Sequence, residues 1–192
     1  MSGGPRMSLA DFAQTRAGAD PRNRRLVAEA AGLPANPRIN GNAEPRINGS
    51  TPALACLEFT VPTDPRGWQK PKPLGYGLAI KGREEQAYQG DIAKFARQAK
   101  EAAGLHDLIR GGVRLSVIAY LVVPPSYRPS RRADCLAGRI LPAVKPDFDR
   151  ILNSVGDALT GVLWVDDKQV VAGSCLKVWA EVGSLYVRVQ AL

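Results

Sequence analysis

Four aspartates stand in two close pairs within one short stretch, Lys145 to Val171. Asp147 and Asp149 form the first pair, and Asp166 and Asp167 form the second. Carboxylate oxygens are ligands that a hard divalent ion such as Mg²⁺ or Mn²⁺ prefers, rather than zinc. Such an ion activates water and stabilises charge on a phosphoryl group. The two pairs therefore predict a hard-metal site, provided that they meet in space.

The sequence between the two pairs predicts a helix, a turn and a short strand. Apolar residues recur there at steps of three and four, which is the helical period. Gly161 is placed to end the helix, and residues 162–165 are typical of a short buried strand that carries the second pair at its end. If this unit folds back on itself, both pairs converge. Like charges at 4 Å repel by about 1 kcal/mol per pair in water, so convergence requires a cation, a shared proton or basic neighbours.

Each pair also has a plainer interpretation when it is taken alone. The first pair suits the positive end of a helix dipole, and the second suits a turn. An EF-hand that starts at Asp147 is excluded, because that loop needs Gly five residues later and Glu eleven residues later. This chain has Leu152 and Ala158 at those places.

The whole stretch resembles a known family. The block Pro146-Asp147-x-Asp149 is followed by Asp157-Ala158-Leu159-x-Gly161 and then by Asp166-Asp167-x-Gln169-Val170. These blocks, in this order, resemble the signature of the RusA-type Holliday junction resolvases. A looser likeness in the order of elements extends over roughly residues 55 to 190. The resemblance implies a Mg²⁺-dependent endonuclease, with Mn²⁺ able to substitute, that cuts branched DNA at four-way junctions as a homodimer.

The resemblance also implies a role for each aspartate. Asp147, Asp149 and Asp167 match the metal-binding catalytic carboxylates of the family. Asp166 matches their acidic neighbour, which we also count among the metal ligands, and Asp157 matches a further motif position on the helix. In-line attack at the metal site would leave a nick with a 5′-phosphate.

One position departs from the family pattern. Four residues after Asp149, where the family commonly has a Lys or an Arg, this chain has Asn153. Arg150 is the candidate catalytic replacement, although it lies about 100° around the helix from the preceding residue. Lys145 and Lys168 are further candidates beside the two pairs.

Composition agrees with a polyanionic partner. The chain has 192 residues, 45% of them hydrophobic, which is enough for one domain with a real core. Its 26 basic and 18 acidic residues give a net charge of +8, and a basic excess favours nucleic acid. Basic loops are expected at residues 62–82 and 124–144, where simple solvation is the alternative to phosphate contact. The residues that we expect to bind DNA are Lys70, Lys72, Arg128, Arg131, Arg132, Lys145 and Lys168.

The pattern of elements predicts an α+β fold, with a mixed sheet of about four or five strands and two helices on one face. Residues 1–50 are predicted to be a disordered basic extension, and residues 51–192 a RusA-like endonuclease domain. Three well-separated cysteines suit the reducing cytoplasm. No apolar run reaches 18 residues, so no membrane association is expected.

Two functions of other kinds remain open from the sequence. Because Asn153 replaces the expected cation, the chain could bind branched DNA with weak or no cleavage. It could also cut other branched substrates, such as flaps and forks.

Overall fold

The computed structural model describes residues 56–70 and 82–192, together with the backbone of residues 72–75 and 78–80. The predicted extension, residues 1–50, lies outside this part. The described chain forms six strands and three helices. The strands are β1 Leu57–Val61, β2 Lys72–Gly75, β3 Leu78–Ile80, β4 Val113–Val122, β5 Val170–Ala180 and β6 Ser184–Ala191. The helices are α1 Arg83–Ala102, α2 Pro129–Leu136 and α3 Phe148–Leu159.

Four of the strands form one mixed sheet in the order β1-β6-β4-β5. Strand β4 pairs in parallel with β5 and antiparallel with β6, which in turn pairs antiparallel with β1. Strands β2 and β3 form a separate two-stranded hairpin. The predicted α+β fold with a mixed sheet is confirmed. Strand β5 lies at an edge of this sheet, next to the residues that carry the second acidic pair.

The helices cover one face of the sheet. Odd-numbered residues of β4 and β6 point to that face, because side chains alternate along a strand. They pack against the apolar stripes of α1 and α3, so that Val117, Val187, Ile92 and Val155 belong to one core cluster. Helix α2 covers the end of the same face, with Cys135 packed near Trp179. None of the helices in the described part of the chain is long and apolar enough to cross a membrane.

Three local predictions were wrong. Residues 62–82, expected to be a loop, contain the hairpin of β2 and β3. The Arg-rich segment expected to be a loop contains α2, a helix of only eight residues that begins at Pro129, a favoured first position. Residues 162–165 form a turn rather than a strand. Trp164 is fully buried there and makes only isolated bridges with Ile109 and Thr160. Residues 162–164 are apolar because they are buried in the core. Periodicity alone does not distinguish such a buried turn from a buried strand.

Candidate metal centre

The first acidic pair stands at the beginning of α3. Asp147 occupies the N-cap position with extended backbone, and its carbonyl accepts the N–H of Ile151 at 3.1 Å. Among the described residues, however, its carboxylate caps no backbone N–H of the helix. The side chain is 59% exposed and faces Arg150 across 3.7 Å. Asp149 is exposed in the first turn. Both carboxylates are thus solvent-facing at the positive end of a helix, where negative charge is favoured.

A loop from before α1 supports the start of α3. The backbone N–H of Trp68 donates to the carbonyl oxygen of Arg150 at 2.9 Å. Gly67 lies so close that a Cβ atom there would sit 3.0 Å from the Cβ of Arg150 and 3.2 Å from the Cβ of Pro146. Only glycine allows this approach without displacement. Sequence reasoning missed Gly67, since one glycine in a Pro- and Gly-rich loop carries no signal of its own.

The second acidic pair is held by a short 3₁₀ turn, Asp167–Gln169. Asp166 caps this turn: its Oδ1 accepts the N–H of Lys168 at 3.0 Å, and the Lys168 Nζ lies 3.0 Å from its Oδ2. The hydrogen bond from the Lys168 N–H, followed by the side-chain ammonium, lowers the pKa of Asp166. Asp167 is exposed on the turn. The turn therefore commits Asp166 to a structural contact and leaves Asp167 open to solvent.

Gln169 fixes this turn to the segment that leads into β4. Its Oε1 accepts the N–H groups of Val165 and Asp166, at 2.9 and 3.2 Å. Its Nε2 donates to the carbonyl oxygens of Ile109 and Gly111, each at 3.0 Å. One side chain thus makes four hydrogen bonds that set where Asp166 and Asp167 lie.

A shallow groove of about 440 Å³ lies beside the second pair. Its apolar wall includes Val165 and Val171, which are 54% and 65% exposed. Arg110 and Lys168 give it a basic rim. The groove lies where β4 and β5 begin, so the surface around the second pair is partly apolar and partly basic.

The structure does not bring the two pairs together within one chain. No group of three Asp, Glu, His or Cys residues that could hold a metal occurs in residues 56–70 and 82–192. Helix α3 runs opposite to β5: Leu152 lies over Gly173, whereas residues 144 and 146 lie near Lys177 further along the strand. The second pair precedes β5, so it lies beyond the other end of α3. The predicted convergence assumed that the chain returns to the helix start, and a helix of 12 residues, about 18 Å long, separates the two places.

In donor chemistry the two pairs still fit a hard divalent ion. Each offers carboxylate oxygens only, and Asp147, Asp149 and Asp167 are exposed. Oxygen donors of this kind suit Mg²⁺ or Mn²⁺. Neither pair alone provides enough ligands. Each supplies two carboxylates, whereas a hard ion takes about six oxygen ligands, several of them from water.

Comparison with known proteins supplies the family. The family model described as Endodeoxyribonuclease RusA matches residues 62–190, well over half of the chain. The chain belongs to the RusA family. It is also 28% identical, over 133 residues, to the uncharacterized protein YqaN of Bacillus subtilis (strain 168). That match covers 67% of this chain and 91% of YqaN. Membership in the RusA family supports a nuclease that acts on DNA.

The basic residues of this RusA family member differ in whether their side chains are held by contacts within the protein or exposed to solvent. Arg132 donates through Nη1 to the carbonyl oxygens of Val123 and Pro124, at 3.1 and 3.0 Å, so it holds the loop after β4. Arg131 is exposed and stacks over the ring of Tyr127, 4.4 Å from its centroid. Arg128, Lys70 and Lys145 are exposed as well. Lys72 lies in β2, where only the backbone is described.

Sequence reasoning also missed Lys177, a residue of β5. Its Nζ donates to the carbonyl oxygen of Val144 at 2.6 Å and to that of Pro146 at 3.0 Å. The carbonyl of Pro146 directly precedes Asp147, and that of Val144 lies two residues further back. Lys177 is separated from them by more than 30 residues in the chain, and no local spacing predicts such a contact.

Proposed function

We propose that this protein is a Mg²⁺-dependent structure-specific endodeoxyribonuclease that resolves Holliday junctions in DNA recombination and repair. The observation that carries the proposal is the pair of exposed, oxygen-only acidic sites, in the family's motif order, on a chain of the RusA family. Mn²⁺ should substitute for Mg²⁺, because both are hard ions that favour oxygen ligands. The free thiols suit a reducing cytoplasm as the place of action.

In this proposal the aspartates hold the ion and the basic residues hold the DNA. Asp147, Asp149 and Asp167 are the ligands, while Asp166 orients the turn that presents Asp167. A bound hard ion would lower the pKa of a water and stabilise charge on the scissile phosphate. Arg150, 3.7 Å from Asp147, is the nearest cation on α3 and limits repulsion within the first pair. Neighbouring phosphates would contact basic side chains, which position the strand without reading its sequence. These groups are Lys70, Lys72, Arg128, Arg131, Lys145 and Lys168, with Arg132 supporting the loop.

Because the two pairs are separated within one chain, a homodimer could complete the metal site by combining residues of both protomers. A two-fold axis could set the first pair of one protomer against the second pair of its partner. Each of the two resulting sites would then contain Asp147 and Asp149 of one protomer and Asp167 of the other. Exposed apolar residues flank both pairs, Phe148 beside the first and Val171 beside the second, and they provide surface for such an interface. Two dyad-related sites also match the two-fold symmetry of a four-way junction, which needs two matched cuts.

Mixing two inactive variants tests this arrangement. Asp149→Asn and Asp167→Asn should each abolish cleavage of a synthetic four-way junction in Mg²⁺, while junction binding survives or strengthens as negative charge is removed. A mixed dimer of the two variants should regain one intact site and nick one strand. The exposed carboxylate of Asp91 on α1 offers a matched control, because Asp91→Asn should cleave normally. If neither Mg²⁺ nor Mn²⁺ yields any scission by the unaltered protein, the nuclease proposal fails; if the mixture stays inactive, the shared site fails.

A second candidate function is a branched-DNA-binding protein with weak or no cleavage. Asn153 favours it, because the helix lacks the cation that the family commonly places there. The two candidates separate on the same junction, by whether binding is accompanied by scission. Cleavage rates on flaps and forks, compared with a mobile junction, test the further possibility that another branched substrate is preferred.

A further inference from the structure

A lysine from the sheet reaches the backbone that leads into the first acidic pair. The Nζ of Lys177 bridges the carbonyl oxygens of Val144 and Pro146, at 2.6 and 3.0 Å. Residues 173, 175 and 177 of β5 share the face that α3 covers, since side chains alternate along a strand. Gly173 lies under Leu152, and Lys177 lies under the segment that enters the helix. The contact therefore joins the edge strand to the two residues on either side of Lys145.

The location is electrostatically unusual for a lysine. The beginning of a helix carries a partial positive charge, which disfavours a cation and favours an anion. An ammonium ion that is half-buried there requires compensation. Two carbonyl oxygens provide part of it, and the carboxylates of Asp147 and Asp149 stand in the next turn of chain.

We propose that Lys177 is a positioning residue for the metal ligands of the first pair. This inference rests on the proposed function, because it gives Asp147 and Asp149 the role of ligands. By clamping the carbonyls of Val144 and Pro146, Lys177 fixes where the chain enters α3 and hence where both carboxylates point. Residues that orient metal ligands typically change metal affinity by about 10- to 100-fold when they are removed.

The direction in which divalent-ion affinity changes when Lys177 is neutralised distinguishes a positioning role from a purely electrostatic one. If Lys177 acted only by its charge, replacing it with a neutral residue would remove a repulsive cation and tighten the binding of a divalent ion. If Lys177 positions the ligands, the same replacement loosens the carboxylates and weakens ion binding. A role in overall stability alone would lower the melting temperature and leave the affinity of the folded protein unchanged.

Lys177→Met is the informative variant, since methionine nearly matches the length of lysine without its charge or donors. Lys94→Met, at an exposed position of α1, makes the same charge change elsewhere. Mn²⁺ binding to the full-length protein is measured by electron paramagnetic resonance, without DNA, and the Mg²⁺ concentration for half-maximal junction cleavage is measured beside it. We expect Lys177→Met to weaken Mn²⁺ binding and to raise the Mg²⁺ requirement by roughly 10-fold or more. Lys94→Met should match the unaltered protein in both.

A double variant, Lys177→Met with Asn153→Lys, completes the test. It restores a cation to the exposed face of α3 but not the clamp, so ion binding should stay weak. Restored binding, or Lys177→Met binding Mn²⁺ as tightly as Lys94→Met or more tightly, overturns the positioning role. Absence of both Mn²⁺ binding and cleavage in the unaltered protein removes the proposed function and this inference together. If the unaltered protein binds Mn²⁺ and cleaves the junction, but Lys177→Met changes neither Mn²⁺ binding nor the Mg²⁺ requirement, this inference alone is wrong.

Discussion

The hydroxyl of Ser154 on α3 donates a 2.8 Å hydrogen bond to Oε1 of Glu85 on α1, a residue that is only 2% exposed. Gln89 donates to the same oxygen at 3.0 Å and reaches Asp157 of α3 at 3.5 Å. This polar contact lies between two otherwise apolar helix faces. It fixes the rotation of α3 about its axis, and that rotation turns Asp149 outward. The motif position Asp157 thus serves the contact between helices.

Ser154→Ala should destabilise the protein measurably. The Oε1 of Glu85 would lose its shorter donor in a buried site, and Oε2 already has no partner among the described residues. Gln89 still donates to Oε1 in the variant, so the loss is that of one hydrogen bond, about 0.5–1.5 kcal/mol, and urea denaturation should show a loss of that size. Asn153→Ala, an exposed neighbour on the same helix, should change stability by less than about 0.5 kcal/mol. Equal losses in the two variants would contradict the importance of this contact.

Gly67→Ala should disturb the start of α3. The new Cβ would lie 3.0 Å from the Cβ of Arg150, which is too close without a shift of the loop or the helix. Such crowding costs about 1–3 kcal/mol, and junction cleavage should fall with stability because the first acidic pair moves. Gly90→Ala on α1 has open space around it and should be stabilising by about 0.5–1 kcal/mol. Thermal melts of both variants give the comparison, and a Gly67→Ala protein as stable as the original would refute it.

Gln169→Ala should release the turn that carries the second pair. All four hydrogen bonds of the side chain are lost, and hydrogen exchange of the amides of residues 165–169 should become faster. Loss of a cap of this kind costs about 0.5–2 kcal/mol. Gln169→Glu keeps the acceptor for Val165 and Asp166 but loses the donors to Ile109 and Gly111, so its effect should be intermediate. Lys168→Ala leaves those bonds intact, and exchange as fast as in Gln169→Ala would point to another cause.

Arg131 and Arg132 should differ in function although they are adjacent. Arg131→Ala is expected to weaken junction binding and to reduce the slope of log affinity against log salt concentration by about 0.9, the value for one duplex phosphate contact. Arg132→Ala should instead lower stability, because the carbonyls of Val123 and Pro124 lose their donor. Fluorescence anisotropy at several salt concentrations, with a thermal melt for each variant, distinguishes them. The opposite pattern would reassign the two residues.

The thiol of Cys175 should remain unreactive at neutral pH. Burial raises its pKa from 9.0 to about 11, with the Lys177 ammonium opposing the shift. The folded thiol keeps its proton between those values while the unfolded thiol has lost it. This contribution to stability is therefore complete below pH 9 and is lost as the pH rises towards 11. Labelling with a thiol reagent should be slow at pH 7.5 in the native protein and fast in urea, and rapid native labelling there would contradict the burial.

The sequence by itself determined the helix α3, the aspartate pair on each side of it and the family to which the chain belongs. These are local features, because helical period and motif spacing are written within about 27 adjacent residues. The α+β class with a mixed sheet was also predictable from the pattern of elements, although the strand expected at residues 162–165 was not found.

Only the tertiary structure decided how the pairs are arranged in space. Their separation depends on the direction in which α3 crosses β5, and a hydrophobic stripe does not encode a direction. The same reason applies to Lys177, Gly67 and Glu85, whose partners lie tens of residues away in the chain. Packing of the helices on the sheet creates these contacts, since burying an apolar face brings together polar groups that have no common pattern in the sequence.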